Sequence, residues 1–126
     1  MNINHDAVLR ARVALLGSGT MPAKEEVAAY RVLIHVSPLA YLPRIVVALW
    51  DYSRQEFSDR PEIVLALHAE SVAAARRLYA MEPERAGLLV TSLAKYRKKL
   101  VLFGRTGELR AVDEEIALVV RAADLM

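Results

Sequence analysis

The chain has 126 residues, a net charge of +2 and no cysteine. Its seventeen basic and fifteen acidic side chains are too evenly balanced to indicate a nucleic-acid partner on their own. The lack of cysteine excludes disulfides, thiolate metal sites and a cysteine nucleophile, and it is typical of a cytoplasmic protein.

The composition favours packed helices. Hydrophobic residues make up 55% of the chain and aromatic residues only 6%, so alanine, leucine and valine supply most of the apolar mass. No stretch approaches the roughly 18 uninterrupted apolar residues that a membrane span requires. Residues 1–6 lack the basic and apolar regions of a signal peptide. We therefore predict one all-α domain over residues 1–126.

The first predicted helix covers about residues 7–16, with Asp6 as its N-terminal cap. Its apolar residues Leu9, Val13 and Leu16 follow one another at i, i+4 and i+7. This spacing places them on one face of a helix, and we expect that face to be buried.

Glycine and proline mark the limits of the other helices. The turn at residues 17–20 ends the first helix, and Thr20 is predicted to cap the second. Pro38 ends the second helix, and Pro43 is placed in the first turn of the third, since its fixed φ and missing N–H suit that position. Asp59 is expected to cap the fourth helix. The predicted helices then run over about 20–36, 42–57 and 61–80, with a fifth carrying the stripe Leu89, Leu93, Tyr96, Leu100 and Phe103 and a sixth from Glu108 onward.

The chain also repeats itself with a period of about 45 residues. A shift of 45 residues pairs charged residues with like-charged ones and proline with proline, and a shift of 44 pairs two tyrosines. The pairs are Glu25 with Glu70, Arg31 with Arg76, Pro38 with Pro83, Glu70 with Glu115, Arg76 with Arg121 and Tyr52 with Tyr96. We predict three hairpin units at about residues 6–37, 38–82 and 83–126, the alternative being three unrelated amphipathic hairpins of similar composition.

Two stretches carry the residues on which a family resemblance depends. They are YLPRIVVALWDY…RPEIVLALHAESVAAARRL and LVTSLAKYRKKLVLFGRTGELRAVDEEIALVVRAA, with a YLP-x-hydrophobic opening and an EE-A-V closing motif. In these residues the chain resembles tetratricopeptide repeats of the longer-period kind found in bacterial proteins. The resemblance covers roughly residues 21–126 and implies antiparallel helical hairpins stacked as a short right-handed solenoid. The period also suits a HEAT-like stack, and another helical bundle is the remaining alternative.

The chain departs from this family where the first helix of each hairpin packs most tightly. The family carries a Leu-Gly pair there, which Tyr52-Ser53 and Tyr96-Arg97 replace. Because arginine is large, Arg97 predicts non-standard packing in the last unit.

The resemblance implies that a partner binds on the concave surface formed by the first helices of the hairpins. Trp50, Arg54 and Phe57 lie at i, i+4 and i+7 on one such helix, and Lys95 and Lys98 lie on the next. A surface of this kind suits an acidic or carboxylate-bearing peptide, because arginine binds carboxylates in bidentate fashion and tryptophan supplies contact area. We therefore predict a non-enzymatic protein–protein interaction module, an adaptor or regulatory protein, with no cofactor. The alternative is that the aromatic residues are core and the charges form a solvated face.

A second hypothesis concerns the strongest basic cluster, formed by Lys95, Arg97, Lys98 and Lys99. Cations of this density contact phosphates in nucleic-acid-binding proteins. However, Tyr96 belongs to the buried stripe and the cations alternate around the helix. The cluster therefore indicates either a nucleic-acid-associated regulatory protein or an ordinary solvated helix face.

The last helix is apolar on more than one side. Ile116, Val119, Val120 and Leu125 are the residues from which we predict self-association, with a homodimer as the first alternative and a fixed different partner as the second.

Signs of catalysis or metal binding are missing from the sequence. His5, His35 and His68 are far apart, without the i, i+3 or i, i+4 spacing of metal ligands, and we interpret them as ordinary histidines. The glycine-containing turn at residues 17–20 lacks the Gly-Lys-Ser/Thr ending of a phosphate loop. We predict no enzyme activity and no metal site.

Overall fold

The computed structural model describes residues 4–16 and 21–125, and it is helical throughout with no strand in these ranges. The turn at residues 17–20 and the predicted cap at Thr20 lie outside them. Short 3-10 segments, Pro83–Arg85 and Thr106–Glu108, lead into the last two helices. None of the described helices is long and apolar enough to cross a membrane. The six α-helices are α1 (His5–Leu16), α2 (Ala23–Leu33), α3 (Pro38–Glu56), α4 (Pro61–Met81), α5 (Ala86–Leu102) and α6 (Leu109–Asp124).

Prolines begin two of these helices. Pro38 opens α3 and Pro61 opens α4, at positions where the missing N–H would have no partner in any case. The predicted start of α3 near Leu42 is wrong, because the helix begins at Pro38 and Pro43 lies inside it. Pro43 forfeits one hydrogen bond of the helix there. The complete burial of Leu42 beside it compensates for that loss.

The two predicted aspartate caps are also wrong. Oδ1 of Asn4 accepts a hydrogen bond of 3.1 Å from the first turn of α1, so the cap precedes Asp6. At the start of α4 the capping position belongs to Arg60 and not to Asp59, and no side chain forms a cap hydrogen bond there.

Each helix packs against the next one along the chain, and one core runs from α2 to α6. The predicted stripe of α5 is confirmed, with its leucines fully buried and its aromatic residues partly so. Because the neighbours in space are neighbours in sequence, the helices form one continuous packed series. The largest fully buried side chains of this core are Leu42, Ile45, Leu49, Leu78, Leu89, Leu93 and Leu100.

Helix α1 presents a different face to the core from the one predicted. Leu9, Val13 and Leu16 are exposed, Leu16 to 85% of its surface, whereas Val8 and Ala11 are buried against α2. An isolated terminal helix contacts one neighbour only, so a narrow stripe is covered. The small side chain of Ala11 lets that neighbour approach closely, which the larger leucines would prevent.

Two bidentate ion pairs of the same geometry connect alternate helices. Arg31 of α2 donates to Glu70 of α4 from Nε (2.9 Å) and Nη2 (2.6 Å). Arg76 of α4 donates to Glu115 of α6 from the same two atoms, at 2.7 and 2.6 Å. In both pairs the carboxylate hydrogen bonds raise the pKa of the arginine against the opposing effect of burial. The four residues are those that the 45-residue shift places in register.

Double-mutant cycles test whether the two ion pairs are equivalent. We expect Arg31–Glu70 and Arg76–Glu115 each to show a coupling free energy of about 0.5–1 kcal/mol, since both are bidentate but partly solvated. Arg110–Glu114, an i, i+4 pair on a strongly exposed face of α6, serves as the control and should show less. Urea unfolding of the single and double glutamine variants measures these energies. Values that differ severalfold between the two bidentate pairs would show that the sites are not equivalent.

Candidate functional site

A cavity of about 280 Å³ lies between α3, α4 and α5. Helix α3 supplies an aromatic and a cationic side chain to it, α4 a histidine, and α5 a run of lysines. The residues most relevant to its chemistry are Trp50, Ser53, Arg54, His68, Lys95, Lys98 and Lys99, with Asp51 as the one carboxylate among the lining residues.

The structure brings four of the five predicted groove residues to this cavity, namely Trp50, Arg54, Lys95 and Lys98. It does not bring Phe57 there. Helix α3 ends one residue earlier, so Phe57 leaves the helical register, and its ring packs edge-on against Tyr52 with the centroids 5.0 Å apart. The i, i+7 spacing therefore predicted the position of Phe57 incorrectly.

Trp50 connects the cavity to the core. Its half-buried ring packs against the core residues and also lines the cavity. Trp50 is therefore both a core residue and a cavity residue, the two alternatives that the sequence left open. The Nζ atom of Lys95 lies 4.8 Å from the centroid of the ring, a cation–π contact between α3 and α5. The buried indole Nε1 has no hydrogen-bond partner among the described residues. A ligand would therefore meet a positioned cation beside an aromatic surface.

His68 forms the α4 wall of the cavity and is only 4% exposed. The hydroxyl of Ser53 donates to the Trp50 carbonyl at 3.0 Å, and its oxygen lies 3.3 Å from His68 Nε2. Since that hydroxyl has only one proton, Nε2–H must be the donor to the Ser53 oxygen. The histidine then carries its hydrogen on Nε2, and Nδ1 is an acceptor without a partner in the described part of the chain.

The electrostatic surroundings keep His68 neutral. Burial is the largest cause, and together with the positive charges of Lys99 and Lys95 it lowers the pKa of His68 to about 4. The imidazole is therefore uncharged at neutral pH.

The positive charge of the cavity exceeds its negative charge. Arg54, Lys95, Lys98 and Lys99 line it, whereas Asp51 is its one carboxylate and lies 3.1 Å from Arg54 within the same helix. Anions are consequently favoured at this site.

Three lysines of the basic cluster predicted on α5 line the cavity, and its arginine does not. Lys95 contacts Trp50, Lys98 and Lys99 line the cavity, and Arg97 turns away to α6, where its Nε donates to Asp113 at 2.6 Å. That hydrogen bond raises the pKa of Arg97. The cavity therefore receives three of the four cations of this cluster.

Arg97 and Asp113 occupy the positions that correspond to Ser53 and His68 under the repeat shifts of 44 and 45 residues. The middle hairpin has a serine–histidine contact where the last hairpin has an ion pair. Ala94 likewise stands where the middle hairpin has Trp50. The chemistry of the cavity therefore depends on residues that only the middle hairpin carries.

Sequence patterns did not identify His68, Ser53 or Lys99 as site residues. A usable signal was present for His68, since it follows the buried Val64 by four residues and precedes the buried Ser71 by three. A histidine on the buried face of a helix needs a polar partner or a ligand.

The predicted self-association residues of α6 divide into two groups. Val119 is buried and Ile116 half-buried against the same chain, whereas Val120 and Leu125 are exposed. Val119 is thus unavailable to a second chain.

Comparisons of the chain with protein-family models, with curated proteins and with solved structures find no match. In the part of the chain that the structure describes, no group of three histidine, aspartate or glutamate side chains is arranged to hold a metal ion.

The buried neutral histidine predicts a specific loss of stability in acid. His68 has a lower pKa folded than unfolded, so its contribution is complete above pH 6.5 and is lost as pH falls toward 4. Between pH 7 and 4 we expect wild type to lose about 3 kcal/mol more unfolding free energy than His68→Gln, the equivalent of a shift from 6.5 to about 4. Urea unfolding across this pH range measures the difference, with exposed His35→Gln as the control. Parallel curves for wild type and His68→Gln would contradict the assignment.

Proposed function

We propose that the chain is a non-enzymatic protein–protein interaction module that holds an acidic segment of a partner in the cavity between α3, α4 and α5. The observation that carries the proposal is that Trp50, Arg54, Lys95 and Lys98, which come from two helices, line the same cavity. Arg54 keeps donors beyond the one that contacts Asp51, and the lysines add point charges. The absence of cysteine supports a cytoplasmic location for this activity.

We further propose that the six helices form three hairpin units of a short right-handed, tetratricopeptide-like solenoid. The two bidentate ion pairs support this arrangement, because equivalent atoms of residues 45 positions apart connect α2 to α4 and α4 to α6. The packing of each helix on its successor also supports it. A HEAT-like stack of the same helices remains the alternative architecture.

Charge reversal in the cavity tests the proposed function. We expect Arg54→Glu/Lys98→Glu to weaken binding of a glutamate-rich degenerate peptide pool by at least about tenfold, because two favourable charge-assisted contacts become repulsive. Lys24→Glu/Arg77→Glu is the matched control, since both residues are exposed and lie outside the cavity. Fluorescence of Trp50, the only tryptophan, measures the affinity directly. Equal weakening by both double variants would place the binding site elsewhere.

The nucleic-acid hypothesis is tested in the same assay. Its cations are divided, because Arg97 is paired to Asp113 while the three lysines line the cavity, and this division favours a protein partner. Binding to random duplex DNA at about 50 mM salt, where electrostatic affinity is strong, would revive the alternative. We expect the protein not to bind this duplex. Duplex binding that Lys98→Glu abolishes would contradict that expectation.

We also propose that the chain self-associates through the exposed apolar residues of α6. The protein should then elute at about twice its mass of 14.0 kDa, and Val120→Glu should restore the monomer. Leu16→Glu, an exposed substitution on α1, is the control that should leave the dimer intact. Monomeric wild type at high micromolar concentration in analytical ultracentrifugation would exclude this dimer.

A further inference from the structure

We infer that α6 of one copy of this chain docks in the groove between α1 and α2 of a second copy, so that copies join head to tail. Arg121 of one copy then pairs with Glu25 of the next. The inference rests on the proposed self-association through α6 and on the proposed stacking of hairpins. It adds the surface that α6 contacts and the direction of assembly.

The first argument is the series of bidentate ion pairs. Each described pair joins an arginine of one helix to a glutamate 39 positions later, on the next helix but one. The 45-residue shift extends the arginine series forward to Arg121 and the glutamate series back to Glu25. Both side chains are exposed, and neither forms an ion pair within residues 4–16 and 21–125. A second copy therefore offers to each of them the partner that the repeated pattern requires.

The second argument is the exposure of α6 beside Arg121. Val72 of α4 is buried and lines a cavity together with side chains of α5 and α6. Its counterpart after 45 residues is Ala117, which is exposed. Ala75 of α4 is also buried, whereas its counterpart Val120 is 43% exposed. The side of α6 that corresponds to a covered side of α4 is therefore uncovered in the described part of the chain.

The third argument is the shape of the groove between α1 and α2. It has a volume of about 330 Å³, and its lining consists mostly of alanines, such as Ala11, Ala14 and Ala28. Small side chains at a contact allow two helices to approach closely. Glu25 lines this groove, just as Glu115 lines the cavity between α4 and α6. The groove thus combines room for a helix with the glutamate that Arg121 requires.

The neighbouring charges are complementary in the same way. Asp124 follows Arg121 by three positions, which places it on the same side of α6. Arg10 lines the groove together with Glu25. The helix therefore presents a cation and an anion, and the groove an anion and a cation, all of them exposed. Such charges select the partner and its orientation more than they raise affinity, which depends on burial of Val120.

The contact joins two different surfaces, so it is heterologous and not two-fold symmetric. A head-to-tail pair keeps one free α6 and one free groove, and each can bind a further copy. The dimer is then the first step of an open series. We therefore expect the weight-average mass of wild type to rise past two chains as the protein concentration increases.

Charge-swap complementation provides the test, with analytical ultracentrifugation as the measurement. Arg121→Glu and Glu25→Arg should each weaken self-association by at least about tenfold, because each places like charges opposite one another. An equimolar mixture of the two variants should restore association, since each then offers the other a complementary surface. This recovery also shows that both variants are folded. Arg77→Glu and Glu56→Arg, the matched reversals at exposed positions outside both surfaces, should leave association unchanged.

The outcomes separate this inference from the proposed self-association. A mass that levels off at two chains, with Glu25→Arg associating as strongly as wild type, would overturn the head-to-tail contact and leave self-association through α6 standing. A mixture of Arg121→Glu and Glu25→Arg that stays monomeric would also overturn the inference. Monomeric wild type at high micromolar concentration would overturn both proposals.

Discussion

The close packing of α4 on α3 is the contact on which the rest of the structure depends. The hydroxyl of Ser71, itself completely buried, donates to the backbone carbonyl of Val46 at 3.0 Å. This bond satisfies a polar group inside the core and allows the two helices to approach closely. The same approach brings Ser53 of α3 within 3.3 Å of His68 of α4, and so it also forms the inner wall of the cavity.

The ion pairs between helices involve residues that recur along the sequence, whereas the cavity involves residues that do not. Residues that recur after 45 positions, such as Arg31 and Arg76, make the same ion pairs and connect successive hairpins. The cavity lies where the residue type does not recur after 45 positions, since the counterpart of His68 is Asp113. In the last hairpin an ion pair fills this position, whereas in the middle hairpin a neutral histidine remains beside uncompensated lysines. The residues that differ between the middle and the last hairpin thus line the cavity.

A buried histidine in this setting is chemically informative. Neutral imidazole is tolerated in the core because Nε2 lies beside the Ser53 hydroxyl, whereas Nδ1 has no partner in the described part of the chain. The nearby lysines make protonation unfavourable in the absence of an anion. The lysines of α5 and the imidazole of His68 therefore border the same cavity.

The periodicity of the chain was sufficient to determine six helices, the buried stripe of α5 and four of the residues that line the cavity, because i, i+4 spacing defines a face whatever surrounds it. Which face is covered was decided only by tertiary contacts. A terminal helix meets one neighbour, so α1 buries Val8 and leaves Leu16 exposed. Likewise, no pattern within one helix connects His68 to Ser53 or turns Arg97 toward α6, since these contacts join side chains of different helices and depend on how closely the helices pack.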